Sequence, residues 1–136
     1  MTTSLYIAGA SSESRLIAGF AERLARVGFV LPCPWWNVVE RARSLGLTDA
    51  DLTLAEARAI GEEELAAVES CDLFWLVMPP LTARSAGCWT ELGARLSRKL
   101  SVVASGPEQN RVFTSLVADR YATHEEAMAF FEAVTP

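Results

Sequence analysis

The chain has 136 residues, of which 51% are hydrophobic and 21% charged, with a net charge of −5. That length predicts one domain over residues 1–136 with a single core, and the composition argues against disorder. The acidic balance, with no basic patch, argues against a nucleic-acid polymer as partner, although a small anionic ligand needs only a few local donors. Cys33, Cys71 and Cys88 are spaced for neither a disulfide framework nor a zinc site, and the single His124 makes no metal cluster alone. No metal site is therefore expected. The N-terminus lacks a basic region followed by a long apolar run, and no stretch reaches about 18 apolar residues. Neither a signal peptide nor a membrane span is expected, so the chain reads as cytoplasmic.

Ser4 to Ala8 predicts a first strand, followed by the loop Gly9-Ala10-Ser11-Ser12. Leu16, Ile17, Phe20, Ala21, Leu24 and Val27 recur at helical spacing, and Gly28 ends that helix. Phe29 to Leu31 predicts a second strand stopped by Pro32 and Pro34, with Trp35-Trp36-Asn37 just beyond it. A short helix is expected around Val38 to Ser44. Thr53-Leu54-Ala55-Glu56 fits a capping box and opens a longer helix with Leu65 and Val68 toward the core. Asp72 precedes Leu73 to Met78, the most apolar run in the chain, which reads as a buried parallel strand closed by Pro79-Pro80. A helix from near Ser85 to about Lys99 follows. Leu100 to Ala104 predicts a fourth strand and Arg120 to Ala122 a short fifth. Thr123-His124-Glu125-Glu126 caps a last helix with Ala127, Phe130, Phe131 and Val134 on its apolar face.

Strands alternating with helices predict an α/β doubly wound, flavodoxin-like or Rossmann-like domain with a five-stranded parallel sheet. The loops after strands one to four then open on one edge, where such sheets bind ligands. Gly9 to Ser12, Trp35 to Asn37, Pro79 to Ser85 and Gly106 to Asn110 are expected to surround one pocket. In Ser85-Ala86-Gly87-Cys88-Trp89-Thr90-Glu91, Ser85 is placed to cap the helix and Gly87 to admit a ligand near the backbone. Glu91 is expected to stay ionised through the helix dipole, as a nucleophile for an anomeric carbon. Glycosyl transfer through a glutamate would need no metal or redox cofactor. The plainer alternative is an exposed helix pair with Arg95. Ser11, Ser12 and Arg15 after Gly9 suit a phosphate or sugar cradle, or simply a capped helix start. Of Trp35 and Trp36, one is expected to be core and one to reach a planar base. Tyr6 and Trp75 read as core, the cysteines as packing, and His124 as surface. Glu62, Glu63 and Glu64 form a run that is solvated unless one points at the pocket.

Leu5-Tyr6-Ile7-Ala8-Gly9, the stretch from Glu64 to Asp72, and Ser85-x-Gly87-x-x-x-Glu91-Leu92-Gly93 together resemble the nucleoside 2-deoxyribosyltransferase family. That family includes the 2′-deoxynucleoside 5′-monophosphate N-glycosidases, and the resemblance runs from Leu5 to about Phe131. It implies a flavodoxin-like fold and transfer or hydrolysis at an N-glycosidic bond, with Glu91 as nucleophile and Tyr6 as the orienting tyrosine. A family aspartate falls on Glu64, whose extra methylene is a departure. Ser85 stands where the monophosphate glycosidases bind phosphate with a serine. Ser11, Ser12 and Arg15 would replace those enzymes' Arg-Gly-Gly loop. Arg111-Val112-Phe113-Thr114 resembles the segment that completes a neighbouring subunit's site, which implies a homodimer or larger assembly in which Asn110 and Thr114 reach the partner's substrate. The expected partner is a small nucleoside or nucleotide. The competing readings are a TIR-like NAD hydrolase, which also uses a glutamate at a sheet edge, and a nucleotide-binding module without turnover.

Overall fold

The computed structural model describes residues 2–134. Strands β1 (Leu5–Ala8), β2 (Leu73–Val77), β3 (Val103–Ser105) and β4 (Asp119–Tyr121) form a parallel sheet in the order β1-β2-β3-β4. Parallel strands require crossovers, and helices supply them. Helices α1 (Ser14–Arg26), α2 (Trp35–Ser44) and α3 (Leu54–Ser70) lie between β1 and β2. Helix α4 (Gly87–Ser97) connects β2 to β3, α5 (Arg111–Thr114) connects β3 to β4, and α6 (His124–Ala133) follows β4.

Among the described residues the sheet has four strands rather than the expected five. Phe29–Leu31 is reduced to one parallel bridge, Ser4 to Val30. Leu5 N donates to the Val30 carbonyl at 2.9 Å and Val30 N to the Thr3 carbonyl at 3.0 Å. Pro32 and Pro34 have no N–H with which to extend the ladder, so pairing stops there. β3 also starts later than Leu100, because the Arg95 guanidinium takes the Ser101 carbonyl at 2.8 Å.

Alternation along the strands sorts the core into two faces. Leu5, Ile7, Trp75, Val77 and Val103 pack with Ile17, Phe20, Leu24, Met128 and Phe131 of α1 and α6. Tyr6, Ala8, Phe74, Leu76 and Ala104 pack with Val68 of α3 and Cys88 and Leu92 of α4. Burial on both faces is why β1 and β2 read as continuous apolar runs.

Helix α3 opens on a reciprocal capping box between Thr53 and Glu56, as its sequence predicts. Only Ala67 and Val68 of this helix are buried. Leu65, expected in the core, is 41% exposed, because α3 meets the sheet only in its last turns. Its earlier turns stand clear and form one wall of a cavity. His124, expected at the surface, is half-buried, with Nδ1 2.7 Å from the Ser105 hydroxyl, which also accepts a hydrogen bond from Trp75 Nε1 at 2.8 Å. Gly106, at φ 106°, makes room for that ring: a Cβ there would lie 2.7 Å from His124 Cε1. Among the described residues, no helix is long and apolar enough to cross a membrane, and no His, Cys, Asp and Glu cluster suits a metal ion.

Candidate active site

Helix α4 begins at Gly87, with Ala86 at the N-cap position and no side-chain cap. Ser85 therefore does not cap the helix as expected: its hydroxyl lies 3.1 Å from Cys88 Sγ. A Cβ at Gly87 would meet nothing within 4 Å, so no close approach constrains that position here.

Glu91 lies in the second turn of α4 and turns inward. It is not half of an exposed pair with Arg95. Arg95 is 1% exposed and donates instead to the carbonyls of Val68, Cys71 and Ser101. Among the described residues, Glu91 Oε2 is buried with no hydrogen-bond partner, and so is the Tyr6 hydroxyl of β1. The Tyr6 ring is 1% exposed and stacks parallel on its sheet neighbour Phe74, centroids 5.7 Å apart.

The electrostatics join these two groups to a third and a fourth. Burial first, and then Glu64, push the Glu91 carboxyl from its ordinary 4.5 to about 8, while the adjacent Tyr6 hydroxyl pulls it back down. Burial raises the Tyr6 hydroxyl, with Glu91, Glu64 and Cys33 adding to the effect. Burial also raises Glu64, helped by Glu63 and Asp49. The Cys33 thiol is pushed up to about 11 by burial, then by Glu64, Glu63 and Glu91, so it is an unreactive thiol at neutral pH. Tyr6, Cys33, Glu64 and Glu91, from four separated parts of the chain, are thus electrostatically coupled. The expectation that the helix dipole keeps Glu91 ionised is corrected. The dipole acts within the first turn, and desolvation outweighs it at Glu91.

A pH-dependent stability follows. The folded state holds a proton on Glu91 that the unfolded chain releases near pH 4.5, so stability falls as pH rises through the window from 4.5 to about 8. Glu91→Gln keeps the shape and removes that titration. Urea denaturation should show the variant gaining on wild type across this window and exceeding it above pH 8. A difference that is the same at pH 5 and pH 9 would contradict the buried, protonated carboxyl.

Cys33 and Glu64 also line a cavity of about 800 Å³. Its apolar wall includes Trp35, Val38, Val39, Leu47, Leu52 and Ile60. Ser11, Arg43, Asp49 and Glu63 complete much of the rest. The loop after β1, α2, the turn at Asp49–Asp51 and α3 therefore enclose it. The loops Pro79–Ser85 and Gly106–Asn110 do not line it, contrary to the four-loop pocket expected. A second recess of about 400 Å³, lined by Met78, Gly106, Thr114 and Tyr121 among others, lies toward β3 and β4.

The other sequence candidates divide between these places. The tryptophans open α2 rather than preceding it. Trp35 lines the cavity, its Nε1 donating to the Ile7 carbonyl at 2.7 Å, whereas Trp36 is 4% exposed in the core. Ser11 is on the cavity wall, but Ser12 and Arg15 are exposed and off it, with Arg15 3.4 Å from Glu40. Gly9 has a packing reason: a Cβ there would run into the buried Ile17 side chain at Cδ1. Asn110 is exposed in a left-handed conformation (φ 51°) ahead of α5. Thr114 is 1% exposed, and its hydroxyl bonds the Gln109 and Asn110 carbonyls of its own chain at 3.1 and 3.3 Å. It is therefore engaged within the chain rather than displayed to a partner.

Cys33 and the segment 47–52 were not expected at the site. The isolated thiol between two prolines carries no chemical signature, and the segment has no periodicity. Glu62 is solvated and paired with Arg58 at 2.8 Å, so only Glu63 and Glu64 of the acidic run turn to the cavity.

Parallel strands covered by helices on both faces, with a cavity beside the loop after β1, define a Rossmann-like α/β protein. Neither a family model nor a curated protein matches the chain. The structure is similar to that of the Clostridium botulinum CMP N-glycosidase BcmB, with a TM-score of 0.50 over 97% of each chain and 14% sequence identity. At that identity the likeness concerns the fold.

Proposed function

We propose that the protein cleaves or transfers at the N-glycosidic bond of nucleosides or their 5′-monophosphates, with Glu91 as nucleophile. The observation that carries this reading is the convergence of Glu91 and Tyr6, both with buried polar atoms lacking a partner, on the cavity residue Glu64. A buried group left unpaired costs about 1–3 kcal/mol, so two together call for a use other than stability. The fold shared with a CMP N-glycosidase supports the same chemistry.

In this mechanism the ionised Glu91 oxygen bonds to C1′ as the C1′–N bond breaks. The electron pair leaves with the base nitrogen, which takes the proton of Glu64. Burial and Glu63 hold that proton on Glu64 to higher pH than usual. Water, or a second base, then attacks C1′ and releases Glu91, with the nucleophile's proton returning to Glu64. When Glu91 ionises, the free Tyr6 hydroxyl donates to it and so fixes the carboxylate. The two carboxyls are coupled, and the reacting form is the one that carries the charge on Glu91 and the proton on Glu64.

The test is incubation with a panel of nucleosides and 5′-monophosphates, reading free base by chromatography. Free base from at least one member is expected. Nicotinamide from NAD alone would move the assignment to NAD hydrolysis, and tight binding without product would make this a binding module.

The assembly proposed with this reading is a homodimer or larger symmetric oligomer. Around α5, Val112, Phe113 and Leu116 are 75%, 52% and 65% exposed, an apolar surface beside Asn110. Light scattering should give at least a dimer, and Phe113→Asp should shift it to monomer. A wild-type protein that is monomeric and active when dilute contradicts the assembly.

A further inference from the structure

The cavity is strongly one-signed. Among the described residues, Asp49, Asp51, Glu56, Glu63 and Glu64 line it against a single cation, Arg43. Asp51 and Glu56 are occupied as caps, accepting from the N–H groups of Thr48 at 2.7 Å and Thr53 at 3.3 Å. Asp49, Glu63 and Glu64 enter no ion pair or side-chain hydrogen bond among the described residues. Arg43 does not offset them. Its guanidinium donates to Glu40 at 2.6 Å, to the Ser14 hydroxyl at 3.2 Å and to the Ser11 carbonyl at 3.1 Å. Arg15, the other cation near this loop, has an 84% exposed side chain, turns to Glu40 and stays off the cavity.

Two further observations point to a ligand. Tyr6, 1% exposed, keeps an unpartnered hydroxyl that feels the charges of Glu91 and of the cavity-wall residues Glu64 and Cys33. The Trp35 ring forms part of the same wall and is held in place by its bond to the Ile7 carbonyl. A tryptophan in the same wall as uncompensated carboxylates suits a flat cation, which the ring attracts by its quadrupole and the carboxylates by their charge. A phosphate dianion would meet repulsion there.

We propose that the cavity takes a nucleoside whose base is a planar cation and which carries no 5′-phosphate, such as an N-ribosylated pyridinium. This rests on the N-glycosidic reading above and names its substrate class. The chemistry balances without an acid at the leaving nitrogen. Glu91 bonds to C1′, the C1′–N electron pair moves onto the ring, and its positive charge is cancelled, so the base departs neutral. Water then displaces Glu91 from C1′, and the proton it releases passes through Glu64 to solvent.

Three probes separate the charges: nicotinamide riboside, with a cationic base and no phosphate; nicotinamide mononucleotide, with the same base and a phosphate; and uridine, with a neutral base. Titration calorimetry on the Glu91→Gln protein at low ionic strength reads binding without turnover. Nicotinamide riboside should bind at least about tenfold more tightly than either of the others. Equal or tighter binding of the mononucleotide or uridine, or no riboside binding at millimolar concentration, overturns the proposal. In a protein that also carries Asp49→Asn and Glu63→Gln, the preference should shrink to about threefold or less. Full retention assigns it elsewhere and overturns the role of these carboxylates. Turnover by the wild-type protein is read separately. Selective riboside binding with no base released from any probe sinks the glycosidic reading and leaves the cation site standing. Base release fastest from the mononucleotide does the reverse.

Discussion

Glu91→Ala should lose base release by at least about a thousandfold, the usual consequence of deleting a covalent nucleophile. The variant should fold, because the deleted carboxyl is buried with an unpartnered oxygen and supports no network. Near-native unfolding with lost activity separates a chemical role from a structural one. Glu91→Gln should be as inactive, since an amide keeps the shape without an ionisable oxygen. The same carboxyl also sets the rate profile of the wild type. Its ionisation near pH 8 in the free protein should make kcat/KM rise toward that pH. A Glu91→Ala protein retaining turnover within tenfold of wild type would remove Glu91 from the reaction.

The second large effect is on stability. Arg95→Ala should cost about 3–5 kcal/mol, the range seen when a buried charged network loses its central member. Arg95 Nη1 donates to the Val68 carbonyl at 3.1 Å and the Cys71 carbonyl at 2.9 Å. Its Nε and Nη2 reach the Ser101 carbonyl at 3.2 and 2.8 Å, and its Cζ sits 5.7 Å from the Phe74 ring centroid. One side chain thus satisfies carbonyls at the end of α3, beside β2 and before β3. The terminal carbonyls of a helix have no partner of their own, and a cation there also meets the negative end of the dipole. Alanine leaves them unsatisfied around a cavity. Arg95→Lys should recover only part of the loss, because an ammonium cannot fork to separate acceptors. Urea midpoints measure both. If both variants stay within about 1 kcal/mol of wild type, the network is dispensable.

Much of the architecture is legible in local patterns. Continuous apolar runs mark β1 and β2, and Thr53 and Thr123 mark helix starts where their hydroxyls do accept from Glu56 N and Glu126 N. Strand alternation marks Tyr6 as core, and only the family resemblance pairs it with Glu91. The missing pieces depend on three-dimensional context. Val30 has strand character, but the prolines after it limit the ladder to one bridge. The charge state of Glu91 follows from how deeply α4 seats it, which helix position alone does not encode. The cavity wall from Leu47 to Leu52 lacks any period, and which of Glu62, Glu63 and Glu64 faces inward depends on how α3 meets the sheet. Ser85 has the residue type of a cap, yet α4 starts two residues later and the hydroxyl turns to Cys88.

The central claim is a covalent bond between Glu91 and C1′. Its most direct test is acid quenching of the wild-type protein during turnover of a 2′-fluoro nucleoside, whose electron-poor sugar slows release of the intermediate, followed by peptide mass spectrometry. The account predicts a glycosyl adduct on the peptide that contains Glu91, absent in Glu91→Gln. Release of free base with no adduct on that peptide, or an adduct on any other side chain, would contradict it.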